Sequence, residues 1–168
     1  PSGELPFHLH IYEKRSDFTS IIHAHPPVLT GFALAQTDIL GQPLLPEPVI
    51  EIGPVLPVDY EEPLTEELAA AFDKVIDKSN AFLIKNHGVL IGSSEGSSRT
   101  LDFLDMLEKQ AHSVFVARIF GKVRVLEGED LDNLEKTMRS RDLPMPGAPG
   151  ENDSLRQAFG FEGSETNE

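Results

Sequence analysis

The chain has 168 residues, with 14 Lys and Arg against 28 Asp and Glu, a net charge of −14 and no cysteine. Without Cys there is no disulfide scaffold, thiolate zinc site or cysteine nucleophile, and no apolar run reaches the roughly 18 residues of a membrane span. A charge of −14 repels phosphate backbones and anionic lipid, so neither a nucleic-acid nor a membrane partner is expected. An anionic small substrate would need local help from a metal or from backbone N–H groups. The length suits one domain with its own core, and no signal peptide is visible, as in a cytoplasmic protein. The chain opens on Pro1-Ser2-Gly3-Glu4 rather than on Met, as the interior of a longer protein would.

In chain order, Leu5, Leu9, Ile11 and Tyr12 space a short helix over residues 5–15. Residues 18–25 are rich in β-branched side chains and stop at Pro26-Pro27, which predicts a buried strand carrying His23 and His25 at its end. Residues 28–36 suit a helix, and the four prolines and glycines of residues 38–48 break it. Residues 49–53 and 55–58 then read as one interrupted strand. Thr65 caps a helix that carries Glu66 and Glu67 in its first turn, sets Leu68, Phe72, Val75 and Ile76 on one face, and ends with Lys74 and Lys78. Residues 81–85 form a strand, Asn86-His87-Gly88 a tight turn and residues 89–92 the returning strand.

A long amphipathic helix follows over residues 94–121, its stripe read as Leu101, Leu104, Ala111 and Phe115, and another helix covers residues 130–139. The proline- and glycine-rich stretch beyond Leu143 reads as a flexible tail over residues 143–168 without its own core, leaving residues 1–142 as the domain. Strands alternating with helices, plus one strand pair joined directly, make the class α/β with a mixed sheet and helices on both faces.

Six histidines occur. Residues i and i+2 of a strand share a face, so His23 and His25 present two imidazoles within reach of one ion. A bare His-x-His also arises by chance, but strand ends are where α/β sheets place ligand sites. His87 stands in a turn at the end of another strand and could complete the three-ligand, open-position set of a catalytic zinc. Glu4 is the nearest carboxylate for such a site, and otherwise a solvated glutamate at a helix start. Ser2 with the N–H groups of residues 3 and 4 would make a small anion nest. His8, His10 and His112 are read as packed or solvated, and Arg118, Lys122 and Arg124 as charges favourable to a helix C-terminus.

Pro1-Ser2-Gly3-Glu4, a helix, an apolar strand into His23-Ala24-His25-Pro26, and Asn86-His87-Gly88 about sixty residues on together resemble the class II aldolase/adducin family. That family includes L-fuculose-1-phosphate aldolase and L-ribulose-5-phosphate 4-epimerase, and the likeness covers roughly residues 1–121. It implies a three-layer α/β/α sandwich with a mixed, largely antiparallel central sheet. It implies a divalent metal, usually zinc, on His23, His25 and His87, with Glu4 as acid/base or fourth ligand and Ser2-Gly3 contacting a sugar phosphate. Family members assemble as cyclic tetramers with active sites between subunits, so a homotetramer is implied, its apolar contact expected from Leu44, Leu45 and residues 49–58.

The implied reaction is class II aldolase cleavage of a ketose phosphate to a dihydroxyacetone-phosphate-type product and an aldehyde. The metal acts as Lewis acid on the enediolate and Glu4 moves the proton. The same chemistry would serve a pentulose-phosphate 4-epimerase or a dehydratase, and a chain that had given up the metal would be an adducin-like interaction module. Residues 45–54 contain no tyrosine, the proton donor that the family's sugar-phosphate aldolases offer to the adjacent subunit.

Overall fold

A computed structural model describes residues 3–161. Four strands, β1 (Ser20–Ala24), β2 (Val55–Val58), β3 (Ala81–Ile84) and β4 (Gly88–Ser93), form one sheet in the order β1-β4-β3-β2. β1 and β3 each pair antiparallel with β4, and β2 runs parallel to β3. All four residues of β3 are buried, as a central strand covered on both faces must be. Alternation then sends Ala81 and Leu83 to one face and Phe82 and Ile84 to the other.

On the first face lie α2 (Pro27–Ala35), through Leu29 and Phe32, and the 24-residue α5 (Ser97–Phe120), through Phe103, Leu107, Ala111 and Val114. The opposite face is covered by α1 (Leu5–Lys14), through Phe7 and Ile11, and by α4 (Glu66–Ala71) with the 3-10 turn Phe72–Lys74 behind it, through Leu68, Phe72 and Ile76. Thr65 caps α4 as its sequence implies, accepting the Leu68 N–H at 3.2 Å. The result is a three-layer α/β/α sandwich on a mixed, largely antiparallel sheet. Among the described residues no helix is long and apolar enough to cross a membrane.

Five sequence expectations need correction. The helix after Thr65 stops at Ala71 and passes into the 3-10 turn Phe72–Lys74, so Lys74 and Lys78 do not form its last turn. Residues 49–53 are not strand: they belong to α3 (Pro46–Glu51) and the bend after it. Prolines are tolerated in the first turn of a helix, where the missing N–H has no partner to lose, and the helix buries Val49 and Ile50. Packing therefore overrides the β-branched preference of these side chains. Gly53, at φ 93°, turns the chain into β2. The buried stripe of α5 is Phe103, Leu107, Ala111 and Val114, while Leu101 and Phe115 face solvent.

The expected coreless tail is packed through residue 161. α6 (Gly128–Ser140) and α7 (Leu155–Ala158) form a third apolar cluster with α3, in which Leu131 and Leu155 are fully buried and Phe159 nearly so. Pro146 lies where a side chain on Gly53 would have to stand. Apolar residues spaced singly among prolines and glycines carry no periodicity, which is why this packing is invisible in the sequence. Finally, Leu44, Val49, Ile50, Ile52, Val55 and Val58 are buried inside their own chain and do not offer the intersubunit surface expected of them. Of that expected region Leu45 remains exposed, and several exposed large apolar side chains gather near the end of α5, with Phe115 at 55%, Ile119 at 68% and Phe120 at 86% exposure.

Candidate metal centre

His23 sits within β1 and His25 one residue beyond it, while His87 occupies the turn between β3 and β4. Because β1 pairs with β4 through Ala24 and Val89, the end of β1 lies beside that turn. The three rings converge, with centroids 4.7 Å apart for His23 and His25, 4.8 Å for His23 and His87, and 5.0 Å for His25 and His87. One nitrogen from each lies within 4.8 Å of the others.

The turn has a local cause. The His87 N–H donates to the Ile84 carbonyl at 3.1 Å, and Asn86 takes the left-handed conformation at φ 54°, which asparagine tolerates better than most residues. A Cβ on Gly88 would stand 2.6 Å from both the Ala24 carbonyl oxygen and His25 Cδ2, so only glycine lets the His25 ring lie against this backbone.

His23 is the most committed of the three. Its Nδ1 lies 3.0 Å from the Val89 carbonyl oxygen and donates to it, because a carbonyl oxygen only accepts. Nε2 is thereby left as a lone pair, and this atom is buried without a hydrogen-bond partner. Burial holds the His23 imidazole below the ordinary histidine pKa; the Glu4 carboxylate and the Val89 carbonyl oppose this, and His87 and His25 reinforce it. Burial, then His25, lowers His87 likewise against the pull of Glu4. A buried nitrogen lone pair with its second ring N–H fixed by a backbone acceptor is the donor set a divalent cation takes. The triad fits a metal ion on that ground.

Glu4 immediately precedes α1 but does not cap it with its side chain. Its Oε1 lies 3.6 Å from His23 Nε2 and 3.8 Å from His87 Nε2, placing a carboxylate on the same centre. Gly3 is described and exposed beside Glu4, whereas Ser2 lies outside the described residues. His10 is engaged elsewhere with Asp73 at 2.8 Å, His8 lies edge-on to Phe7, and His112 is exposed.

Two supports at opposite ends of α2 escape a reading of the sequence. Glu108 of α5 accepts the Val28 and Leu29 N–H groups, each at 2.8 Å. Gln36, just past the other end, donates to the Asn86 side-chain oxygen at 2.8 Å. The visible signal for the first was Pro26-Pro27, a helix start with no side-chain acceptor of its own.

Residues 1–114 match the family described as Class II Aldolase and Adducin N-terminal domain. Over 139 residues the chain is 30% identical to a 3-oxo-tetronate 4-phosphate decarboxylase from Pectobacterium atrosepticum, covering 80% of this chain and 62% of that protein. Over 138 residues it is 30% identical to a 5-deoxy-D-ribulose 1-phosphate aldolase from Bacillus thuringiensis, covering 81% and 62%. Its structure superimposes on an L-fuculose 1-phosphate aldolase with a TM-score of 0.69 at 28% identity, over 83% of this chain and 64% of that one. The chain thus spans somewhat under two thirds of the length of these relatives. With the family match running through most of the sandwich, the chain belongs to the class II aldolase and adducin N-terminal domain family.

Proposed function

We propose that this chain is the metal-binding domain of a class II aldolase that cleaves a ketose phosphate, similar to L-fuculose 1-phosphate, into a dihydroxyacetone-phosphate-type product and an aldehyde. His23, His25 and His87 hold zinc or another divalent metal, Glu4 is the acid/base, and Ser2 with Gly3 contacts the phosphate. The observation that carries the reading is the convergence of three imidazoles and the Glu4 carboxylate on one centre, with a buried, unpartnered His23 nitrogen facing it.

When bound, the metal supplies a Lewis acid that polarises a carbonyl oxygen of the substrate. The chain's own residues do the rest. Val89 fixes the His23 tautomer and ring direction. Breaking the carbon–carbon bond leaves an electron pair on the product-side carbon, which must receive a proton. Glu4 is the carboxyl group positioned to deliver it, and to take up the hydroxyl proton released on the aldehyde side.

Two observations favour a second reading, decarboxylation of a 3-oxo acid phosphate: the similarity to the Pectobacterium protein, and the absence of tyrosine from residues 45–54. Loss of carbon dioxide leaves the same electron pair to be protonated and requires no group to exchange a proton with an aldehyde-side oxygen. Products distinguish the two. The intact protein, stripped with chelator, reloaded with zinc and freed of excess ion, is expected to hold one metal per chain by elemental analysis. It should then release a triose phosphate from a ketose 1-phosphate. Carbon dioxide from a 3-oxo-tetronate 4-phosphate without aldehyde would establish the second reading, and a metal content near zero would favour a non-catalytic interaction module.

We extend the reading to assembly as a homotetramer, with the apolar end of α5 as the surface on which copies meet, supported by Phe115, Ile119 and Phe120 standing exposed there.

A further inference from the structure

We infer that Glu108 is a positioning residue for the histidine triad: by holding the N-terminus of α2 it fixes where His25 and His87 stand relative to His23. This deepens the metal-site reading above and rests on it.

A helix start leaves N–H groups that need acceptors. In α2 the residues at that position, Pro26 and Pro27, have no N–H, and Pro26 provides no side-chain cap. The first donors are Val28 and Leu29, and both are satisfied by the two oxygens of Glu108, 80 and 79 positions away. A carboxylate taking two backbone N–H groups at the positive end of a helix is directional and charge-assisted. The apolar contacts of Leu29 and Phe32, by contrast, carry no direction. Glu108 itself stands on α5, whose neighbouring Phe103, Leu107 and Ala111 are embedded in the core, so the clamp is mounted on a rigid element.

Each end of α2 leads to a ligand. His25 is joined directly to Pro26, where the preceding residue is held extended by the proline ring. Among the described residues His25 is the exposed member of the triad, and no hydrogen bond holds its ring. At the other end, the Asn86 N–H donates to the Ala33 carbonyl at 3.1 Å and the Gln36 side chain donates to Asn86, one residue before His87. A slip of α2 therefore moves His25 and loosens the His87 turn, while His23, fixed by Val89 within the sheet, stays.

The test uses the intact protein with zinc and with cobalt(II) as probes. Zinc affinity is read by competition with a chromophoric chelator, and coordination by the visible absorption of cobalt(II). Glu108→Ala is expected to fold, to bind zinc about 10- to 100-fold more weakly and to change the cobalt spectrum. Glu108→Gln, which retains one acceptor, should fall between it and the parent. Leu155→Ala, in the third apolar cluster, is the control for lost stability and should leave both metal readouts unchanged. Parental zinc affinity and an unaltered spectrum in Glu108→Ala would overturn the inference while leaving the metal site standing. If that variant does not fold, the same result in Glu108→Gln overturns it. A parent that takes up neither ion removes the metal-site reading, and this inference with it.

Discussion

Glu4 and Arg15 show how differently two charged side chains can be used. Glu4 faces the imidazoles, and its side chain does not cap its own helix start; Glu4→Gln, which keeps the side chain's size, should leave the fold and the metal stoichiometry unchanged. Turnover should fall by about 10²–10⁴-fold, the range for a positioned general acid/base; steady-state kinetics beside elemental analysis checks this. Arg15 is 1% exposed and lies 3.9 Å over the Phe18 ring. It donates to both Asp17 oxygens, to the Ile76, Ser79 and Gly147 carbonyls and to the Asn80 side chain. Arg15→Met should cost about 3–5 kcal/mol, the range for removing one partner of a buried pair, measured by urea unfolding. At Asp17, burial works upward and is outweighed by the hydrogen bonds and charge of Arg15, so its carboxyl is held below the ordinary 3.8. A depressed carboxylate contributes stability that is present above its unfolded value and lost as pH falls through the folded one. The gap between parent and Arg15→Met should therefore be widest near neutrality and narrow below pH 3.8. His23, His25 and His87 were legible because strand spacing and a turn motif put chemistry on short stretches of sequence. Arg15 and Glu108 were not, because, Asp17 apart, their partners lie 61 to 132 and 79 to 80 positions away.

Among the elements, those with a local signal were read correctly in kind: β1 by its β-branched run into Pro26-Pro27, the start of α4, though not its end, by Thr65 and the acidic first turn, and the β3–β4 pair by Asn86-His87-Gly88. Failures came where position in the fold outweighs propensity. Val49 and Ile50 look like strand residues, yet two prolines start a helix there and α6 covers it. In α5 the apolar residues occupy more than one face, so the sequence alone offers two stripes and the sheet selects one. The segment after Leu143 is the strongest case, with a single turn of helix capped by Ser154, whose side chain accepts the Gln157 N–H at 3.0 Å. Leu155→Ala, at a fully buried position, should lower stability by about 2–5 kcal/mol in thermal unfolding. A solvated tail would show no change.

At the scale of the whole molecule, a charge of −14 opposes the meeting of copies at the exposed apolar end of α5. Self-association should therefore strengthen as salt rises from about 0.01 M to 0.15 M, where screening shortens from about 30 Å to about 8 Å. Sedimentation velocity at several salt concentrations checks this, and Phe115→Glu with Phe120→Glu should return the protein to smaller species. The α/β class, the mixed sheet and the helices on both its faces were legible from the alternation of elements, and the three-layer, largely antiparallel arrangement from the family resemblance, whereas the third cluster, which no repeat or motif announces, was not. The bond between Arg15 and the Gly147 carbonyl spans 132 positions, and that separation has a consequence for synthesis. At roughly 5–20 residues per second, translation needs on the order of ten seconds to cover it. β1 likewise waits for β4, its sheet neighbour. The growing chain thus leaves the ribosome with an apolar strand, His23 and His25 at its end, unsheltered until residues 88–93 arrive, and with the Arg15 guanidinium short of an acceptor until residue 147 follows, intervals open to chaperones and to stray metal ions alike.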